Sequence, residues 1–449
     1  MREYEFSDED KILWRQLLKP LRWGKDSNSV SMQKDRTEFA KDHDRIIFSS
    51  AFRRLAKKTQ VHLLIQNDHI HNRLTHSLEV SCVGRSLGNK LGIWLENNGL
   101  LPEDIEPYNV GEIVQAACLA HDIGNPPFGH AGEDAIQDWF NNPENNSYLE
   151  RGKLTEWELA DFKAFDGNAQ GFRIVTSLEM YKDEGGMRLT FPTLASIIKY
   201  PFCSLDGLKM DKRKFNFYCA EANIFDKIFC ELGLKKCNKY IRHPLSYLTE
   251  AADDICYLII DIEDARELKI IDLDDLLTII KPIEGDLNIK HEKLEQKETD
   301  RRKSSYIRAL LINHLVNIIF ETFIYNFREI IEGYCNPLYE ICEEKTQRYF
   351  KNARKIFKDR IMKDPKKTAL EIGSYSVYKR LLDNFIPAAH NKVLDISLSY
   401  KQTRALDLMG INAPEKNESI YHSYLRVIDF VSGKTDEYAT FISRQLAGV

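Results

Sequence analysis

Apolar residues return every three or four positions through long stretches of this chain, and that period restricts it to a helical architecture. The pattern runs through DEDKILWRQLL, LTHSLEVSCVGRSLGNKLGIWL, VGEIVQAACLAHDI and RALLINHLVNIIFETFIYNFREIIE. The 22 glycines and 14 prolines fall mostly between these stretches, where helices must stop. Strict alternation is rare. RIIF (45–48) and the run Met187–Thr193 are the best strand candidates. The period predicts an all-α fold, a helical core with additional helices and at most a small β element.

A chain of 449 residues could hold two or three domains, but neither repeats nor low-complexity tracts divide it. Residues 284–305 are charge-dense and read as a solvated connection. Turn residues at Gly410–Ser419 set off a final helix. The expected organisation over 1–449 is one large helical unit. Its core, which carries the motifs described below, covers about 50–270, and a C-terminal helical subregion covers about 300–449.

Lysine plus arginine number 63 against 68 acidic residues, a formal net charge of -5, so any site for a polyanion must be a local cluster of cations. Nine cysteines, with no CxxC pair, argue against both a disulfide framework and a thiolate zinc site. The charged amino terminus has no apolar signal region, and apolar runs such as Cys256–Ile260 are too short to span a bilayer. A cytoplasmic protein without membrane contact is expected.

Chemistry concentrates in ACLAHDIGNPPFGHAGEDAI. His121 and Asp122 end an apolar helix that is stopped by Gly124, Asn125 and the Pro126-Pro127 pair. Two adjacent side chains that can bind metal could converge on one cation, yet a lone His-Asp pair is weak. Upstream, Arg73 and His76 open another amphipathic helix; downstream, Asp253, Tyr257 and Asp261 share one helix face. Asp253 and Asp254 interrupt an apolar helix, where an uncompensated carboxylate is costly, so a cation should neutralise at least one. Two imidazoles and two carboxylates suit Mn²⁺, Fe²⁺, Zn²⁺ or Mg²⁺ with positions left open. The rigid PPFG turn could bring His130 back over such a metal.

The order His76, His121-Asp122, Asp253 resembles the HD superfamily of phosphohydrolases. Six stretches narrow the match: RTEFAKDHDRIIFSSAFRRLAKKTQV, NRLTHSLEV, HDIGNPPFGHAGEDAI, FDGNAQGFRI, EAADDICY and SGKTDEYA. From about residue 36 to residue 439 they resemble the dGTP triphosphohydrolase family; Lys434 departs from the methionine expected in the last. The resemblance implies a divalent cation, Mg²⁺ or Mn²⁺, held by His76, His121, Asp122 and Asp253. It gives His130 and Glu133 the roles of catalytic histidine and orienting carboxylate. Cleavage between the α-phosphorus and the 5′ oxygen expels a sugar alkoxide, which a histidinium held by Glu133 can protonate. Arg73, Asn168, Lys199, Tyr200 and Lys214 would contact phosphate. Gln60, Val61, Tyr257 and Asp261 would recognise the sugar, with Tyr257 leaving no room for a 2′ hydroxyl. Arg53 and Arg54 would bind phosphate or brace the site, and base contacts would come partly from Arg426–Tyr438.

The expected reaction is hydrolysis of dGTP to deoxyguanosine and tripolyphosphate. Alternatives are a broad-specificity dNTP triphosphohydrolase, with or without nucleotide activation, and a nucleotide-sensing binding protein without turnover. A 5′-nucleotidase or guanosine tetraphosphate hydrolase would not carry FDGNAQGFR or SGKTDEYA. The resemblance further implies a homo-oligomer, such as a hexamer, and a capacity to bind single-stranded DNA.

Overall fold

A computed structural model describes residues 4–25, 35–60, 67, 69–150, 154–182, 184–237 and 239–449. Helices account for nearly all its regular structure. Those that matter below are α1 (Glu38–Ile47), α2 (Arg73–Asn97), α3 (Pro107–Ala120), α4 (His130–Asn141), α5 (Gly167–Arg173), α6 (Phe191–Ile197), α7 (Pro244–Glu267), α8 (Asp300–Tyr325), α9 (Glu344–Ile356), α10 (Pro365–Val393), α11 (Tyr400–Met409), α12 (Ile420–Ser432) and α13 (Asp436–Ala447).

Two apolar cores organise them. In the first, α2 lies along α3 while α7 and α8 pack across the pair, burying Leu87, Leu91, Ile113, Val114, Leu248, Ile255, Ile307 and Leu315. The close approach of α2 to α3 depends on Gly88, where a Cβ would stand 2.7 Å from the Cα of Gly111. In the second core, α4 packs on α10, and α11, α12 and α13 surround α10, burying Ile136, Phe140, Tyr378, Phe385, Tyr424 and Ile428. Each such large side chain contributes on the order of 1.5–3 kcal/mol on leaving water. The PPFG turn at the start of α4 lies where these cores meet, because α3 belongs to the first and α4 to the second.

Several local expectations are corrected. RIIF is no strand: it forms the end of α1, which buries Phe39, Asp42 and Ile46, so the three-to-four-residue period prevails over β-branched content. Met187–Thr193 pairs only through an isolated bridge between Thr190 and Arg22, after which Phe191-Pro192 opens α6, with proline in the first turn. Among the described residues the one two-stranded sheet joins Lys235–Lys236 to Lys239–Tyr240, antiparallel. Residues 284–305 are not wholly solvated, since Leu287 and Leu294 anchor them to the first core. Two helices, α12 and α13, follow the Gly410–Ser419 break instead of one, because Thr435 caps a new helix after Gly433. The helix α8 is, by length and composition alone, long and apolar enough to cross a bilayer, and 44% of that apolar window is buried inside the fold.

Candidate active site

The amino terminus of α2 is set by a reciprocal cap, in which the Asn72 side chain accepts from the Thr75 amide and the Thr75 hydroxyl accepts from the Asn72 amide. This puts Arg73 and His76 in the first turn, facing the end of α3. There His121 Nδ1 donates to the Cys118 carbonyl oxygen at 2.7 Å, which leaves Nε2 free to act as a ligand. From α7, Asp253 Oδ1 reaches His76 Nε2 at 3.0 Å and His121 Nε2 at 3.5 Å. The ligand atoms of His76, His121 and Asp253 all lie within 4.8 Å of one another, a spacing that one cation can bridge.

Electrostatics agree with that donor set. Burial works to lower the pKa of His121, but the carboxylates of Asp122 and Asp253 outweigh it and push it up to about 9. Burial opposes ionisation of Asp253, yet His121 and His76 hold it well below the ordinary carboxylate value. These mutual attractions mark a place where positive charge is favoured. Nδ1 of His76 is buried without a hydrogen-bond partner. Asp122 lies beside the group of three, with its Oδ1 3.6 Å from His121 Nε2. Arg73 Nη1 holds its Oδ2 at 2.6 Å, and Asn125 Nδ2 holds its Oδ1 at 2.5 Å.

Across the cleft the backbone turns sharply, with Phe128 at φ 67° and Gly129 at φ 58°, and delivers His130 as the first residue of α4. One turn later, Glu133 Oε2 meets His130 Nδ1 at 2.8 Å and Lys214 Nζ at 3.0 Å, while Oε1 accepts from the Gly167 amide at 2.7 Å. Burial would raise Glu133, but His130 and Lys214 prevail and bring it down to about 2. Asp166, pressed by burial and by Glu133, rises to about 6. The FDGN stretch thus supplies the amide that anchors Glu133, and Asn168 Nδ2 donates to Asp166 at 2.7 Å.

Most of these groups line one cavity of about 410 Å³. Of the residues singled out from the sequence, Gln60, Arg73, His121, Asp122, His130, Glu133, Asn168, Lys199, Tyr200, Lys214, Asp253 and Tyr257 lie on its wall. Lys199 is tied to Glu250 at 2.9 Å, and the amides of Lys199 and Tyr200 both donate to Asn216. His76 is fully buried behind the wall. Asp261 also lies behind it, fully buried with both carboxylate oxygens unpartnered, and burial together with Asp264 pushes its pKa well up. Val61 lies outside the described residues.

Arg53 and Arg54 do not reach the cleft. Arg53 is exposed, and Arg54 lines a second cavity of about 650 Å³ with Lys182, Arg426 and Lys434. The Arg426–Tyr438 segment likewise leaves the first cavity to another part of the C-terminal half: Arg354, Phe357, Met362 and Lys367. No motif marks them. Phe357 opens a single π-helical turn (Phe357–Ile361) and packs on Tyr257 with ring centroids 4.9 Å apart. The need for a cation beside Asp253-Asp254 is met twice, because the histidines face Asp253 and Arg354 Nη2 reaches Asp254 at 3.0 Å. Lys58, another residue that sequence reasoning passed over, donates to the carbonyl oxygens of Asn125 and Ser432 at 2.5 and 2.9 Å.

A family model described as HD domain matches residues 73–168, from Arg73 to Asn168. The deoxyguanosinetriphosphate triphosphohydrolase-like protein of Pseudomonas aeruginosa is 43% identical over 441 residues, covering 97% of this chain and 98% of the relative. The protein of the same name from Synechocystis is 36% identical over 97% of this chain and 99% of its own length. The deoxyguanosinetriphosphate triphosphohydrolase of Yersinia pseudotuberculosis is 31% identical over 89% of this chain and 92% of its own length. With near-full-length similarity at these identities, and with His76, His121 and Asp253 gathered around one point, the chain belongs to the deoxyguanosinetriphosphate triphosphohydrolase-like family of HD-domain proteins.

Proposed function

We propose that the cleft hydrolyses dGTP to deoxyguanosine and tripolyphosphate. The observation that carries this reading is that the His130–Glu133 pair lines the same cavity as His121 and Asp253, with Arg73, Lys199 and Lys214 also on its walls. His76, His121 and Asp253, with Asp122 beside them, fit a divalent cation, Mg²⁺ or Mn²⁺. When bound, such an ion supplies Lewis acidity and charge for a phosphate group.

The chain's own residues do the rest. Arg73 is oriented by Asp122 and offers its remaining donors to phosphate oxygens. Lys199 and Lys214 add positive charge, and carboxylates hold each of them charged and in place. The exposed imidazole of His130 stands at the α4 terminus, with its Nδ1 2.8 Å from Glu133 Oε2. From there it gives its proton to the departing 5′ oxygen as water attacks the α-phosphorus. Tyr257, backed by Phe357, forms the wall against which deoxyribose packs.

Chromatography of products from dGTP with Mg²⁺ or Mn²⁺ tests this. Deoxyguanosine and tripolyphosphate are expected, and dGMP with pyrophosphate would overturn the assignment of the cleaved bond. The same assay run with all four deoxynucleotides decides how far the base matters.

A further inference from the structure

The SGKTDEYA stretch is as distinctive as the histidine motifs, yet none of its residues lines the catalytic cleft. Its Asp436, first residue of α13, is 1% exposed. The two carboxylate oxygens reach two distant segments. Oδ2 accepts the Thr59 amide at 2.9 Å, and Oδ1 accepts the Phe128 amide at 3.0 Å, across 308 residues of sequence. Both segments border the cleft. Thr59 precedes Gln60 and bridges to Asn72, the cap of α2. Phe128 precedes Gly129 and His130.

Phe128 is a bulky residue at φ 67°, a conformation that persists only where its surroundings over-determine it. Two C-terminal groups hold this turn. Besides Asp436, Tyr378 of α10 donates its hydroxyl to the Pro127 carbonyl oxygen at 3.2 Å and sets its ring edge-on to Phe128. The turn ends in the imidazole whose aim matters, because His130 is largely exposed and, among the described residues, its ring hydrogen-bonds to Glu133 alone.

We infer that Asp436 is a positioning residue: by gripping the amides of Thr59 and Phe128 it fixes where His130 points across the cleft. This rests on the reading of His130 as the proton donor. A carboxylate is required because the site must accept from two amides at once. Asparagine keeps the shape but turns one acceptor into a donor that faces another donor.

The test compares Asp436→Asn, His130→Ala and the double variant in single-turnover hydrolysis of dGTP with Mg²⁺, alongside metal content and thermal melting of each chain. Asp436→Asn is expected to lower the rate by about 10- to 100-fold, the scale of a misplaced catalytic group, with bound metal unchanged. In the His130→Ala background it should add less than about twofold, because the two residues act as one unit. Asp436→Glu, which keeps both acceptors, should recover part of the rate. If Asp436→Asn does not fold, Tyr378→Phe loosens the same turn and should show the same coupling to His130. A wild-type rate in Asp436→Asn, or an equal loss with and without His130, overturns the inference alone. A wild-type rate in His130→Ala overturns the reading of His130 and takes this inference with it.

Discussion

Nδ1 of His130 lies 2.8 Å from Oε2 of Glu133, joining an imidazole whose side chain is 77% exposed to a carboxylate that is 5% exposed. The buried partner is immobilised by the Gly167 amide and by Lys214, so it acts as a fixed anchor for a ring that stands in the cleft. An exposed histidine held in this way can reach a substrate without being free to wander.

Replacing His130 with alanine should therefore cost about 10²–10⁴-fold in kcat, the range of a general acid. Glu133→Gln should cost less, because the amide still offers an oxygen to one donor. Metal content is expected to stay at the wild-type level in both, since neither belongs to the group of His76, His121 and Asp253. Steady-state kinetics paired with elemental analysis checks this, and loss of metal in His130→Ala would show that the two sets are not separate.

Asp253 contacts both histidines, so Asp253→Ala should lose bound divalent metal and turnover together. Arg354→Ala should retain metal, because Arg354 pairs with Asp254 and not with the ligand group. Chelation of the wild-type chain should abolish hydrolysis, and added Mn²⁺ or Mg²⁺ should restore it. Activity that survives complete removal of metal, verified by elemental analysis, rules out the metal-dependent reading.

Tyr257 is held against Phe357, with ring centroids 4.9 Å apart. Tyr257→Ala opens the wall beside the sugar, so the preference for dGTP over GTP, measured as a ratio of kcat/KM, should shrink by about 10- to 100-fold. An unchanged ratio would place the recognition of deoxyribose elsewhere.

Lys58 is 3% exposed, and burial, with repulsion from Arg54, brings its pKa down to about 7 despite Asp436. In the unfolded chain a lysine titrates at about 10.4. Between these values the unfolded state binds the extra proton, so stability rises with pH across that window. Urea unfolding of chelated wild type and Lys58→Met at pH 7, 8 and 9 should show the wild type gaining on the variant. The limit is about 1.4 kcal/mol per pH unit. A constant difference would mean that Lys58 keeps its proton in the fold.

How much of this was legible from the residues varies with the range of the interaction involved. Helices were legible where apolar period and capping residues agree, as in the run from Arg73 and the one from Pro107. RIIF misled because three consecutive apolar residues after Arg45 carry no period of their own, and the neighbours Phe39 and Asp42 decided that they continue a helix. Leu287 and Leu294 were hidden among charges, although two apolar side chains suffice to dock a polar segment. In the cleft, ordered motifs pointed to most of the wall, but Arg354, Phe357, Met362 and Lys367 carry no signature that separates them from an ordinary basic, amphipathic helix.

By itself the sequence determined the all-α class and pointed to His76, His121, Asp122 and Asp253 as a donor set, because local period and residue type act over a few positions. Only the tertiary structure decided that Asp122 pairs with Arg73, that Arg54 faces a different cavity, and that Asp436 reaches Thr59 and Phe128. Those outcomes depend on how two apolar cores pack against each other, and chain positions hundreds of residues apart meet only when both cores have formed.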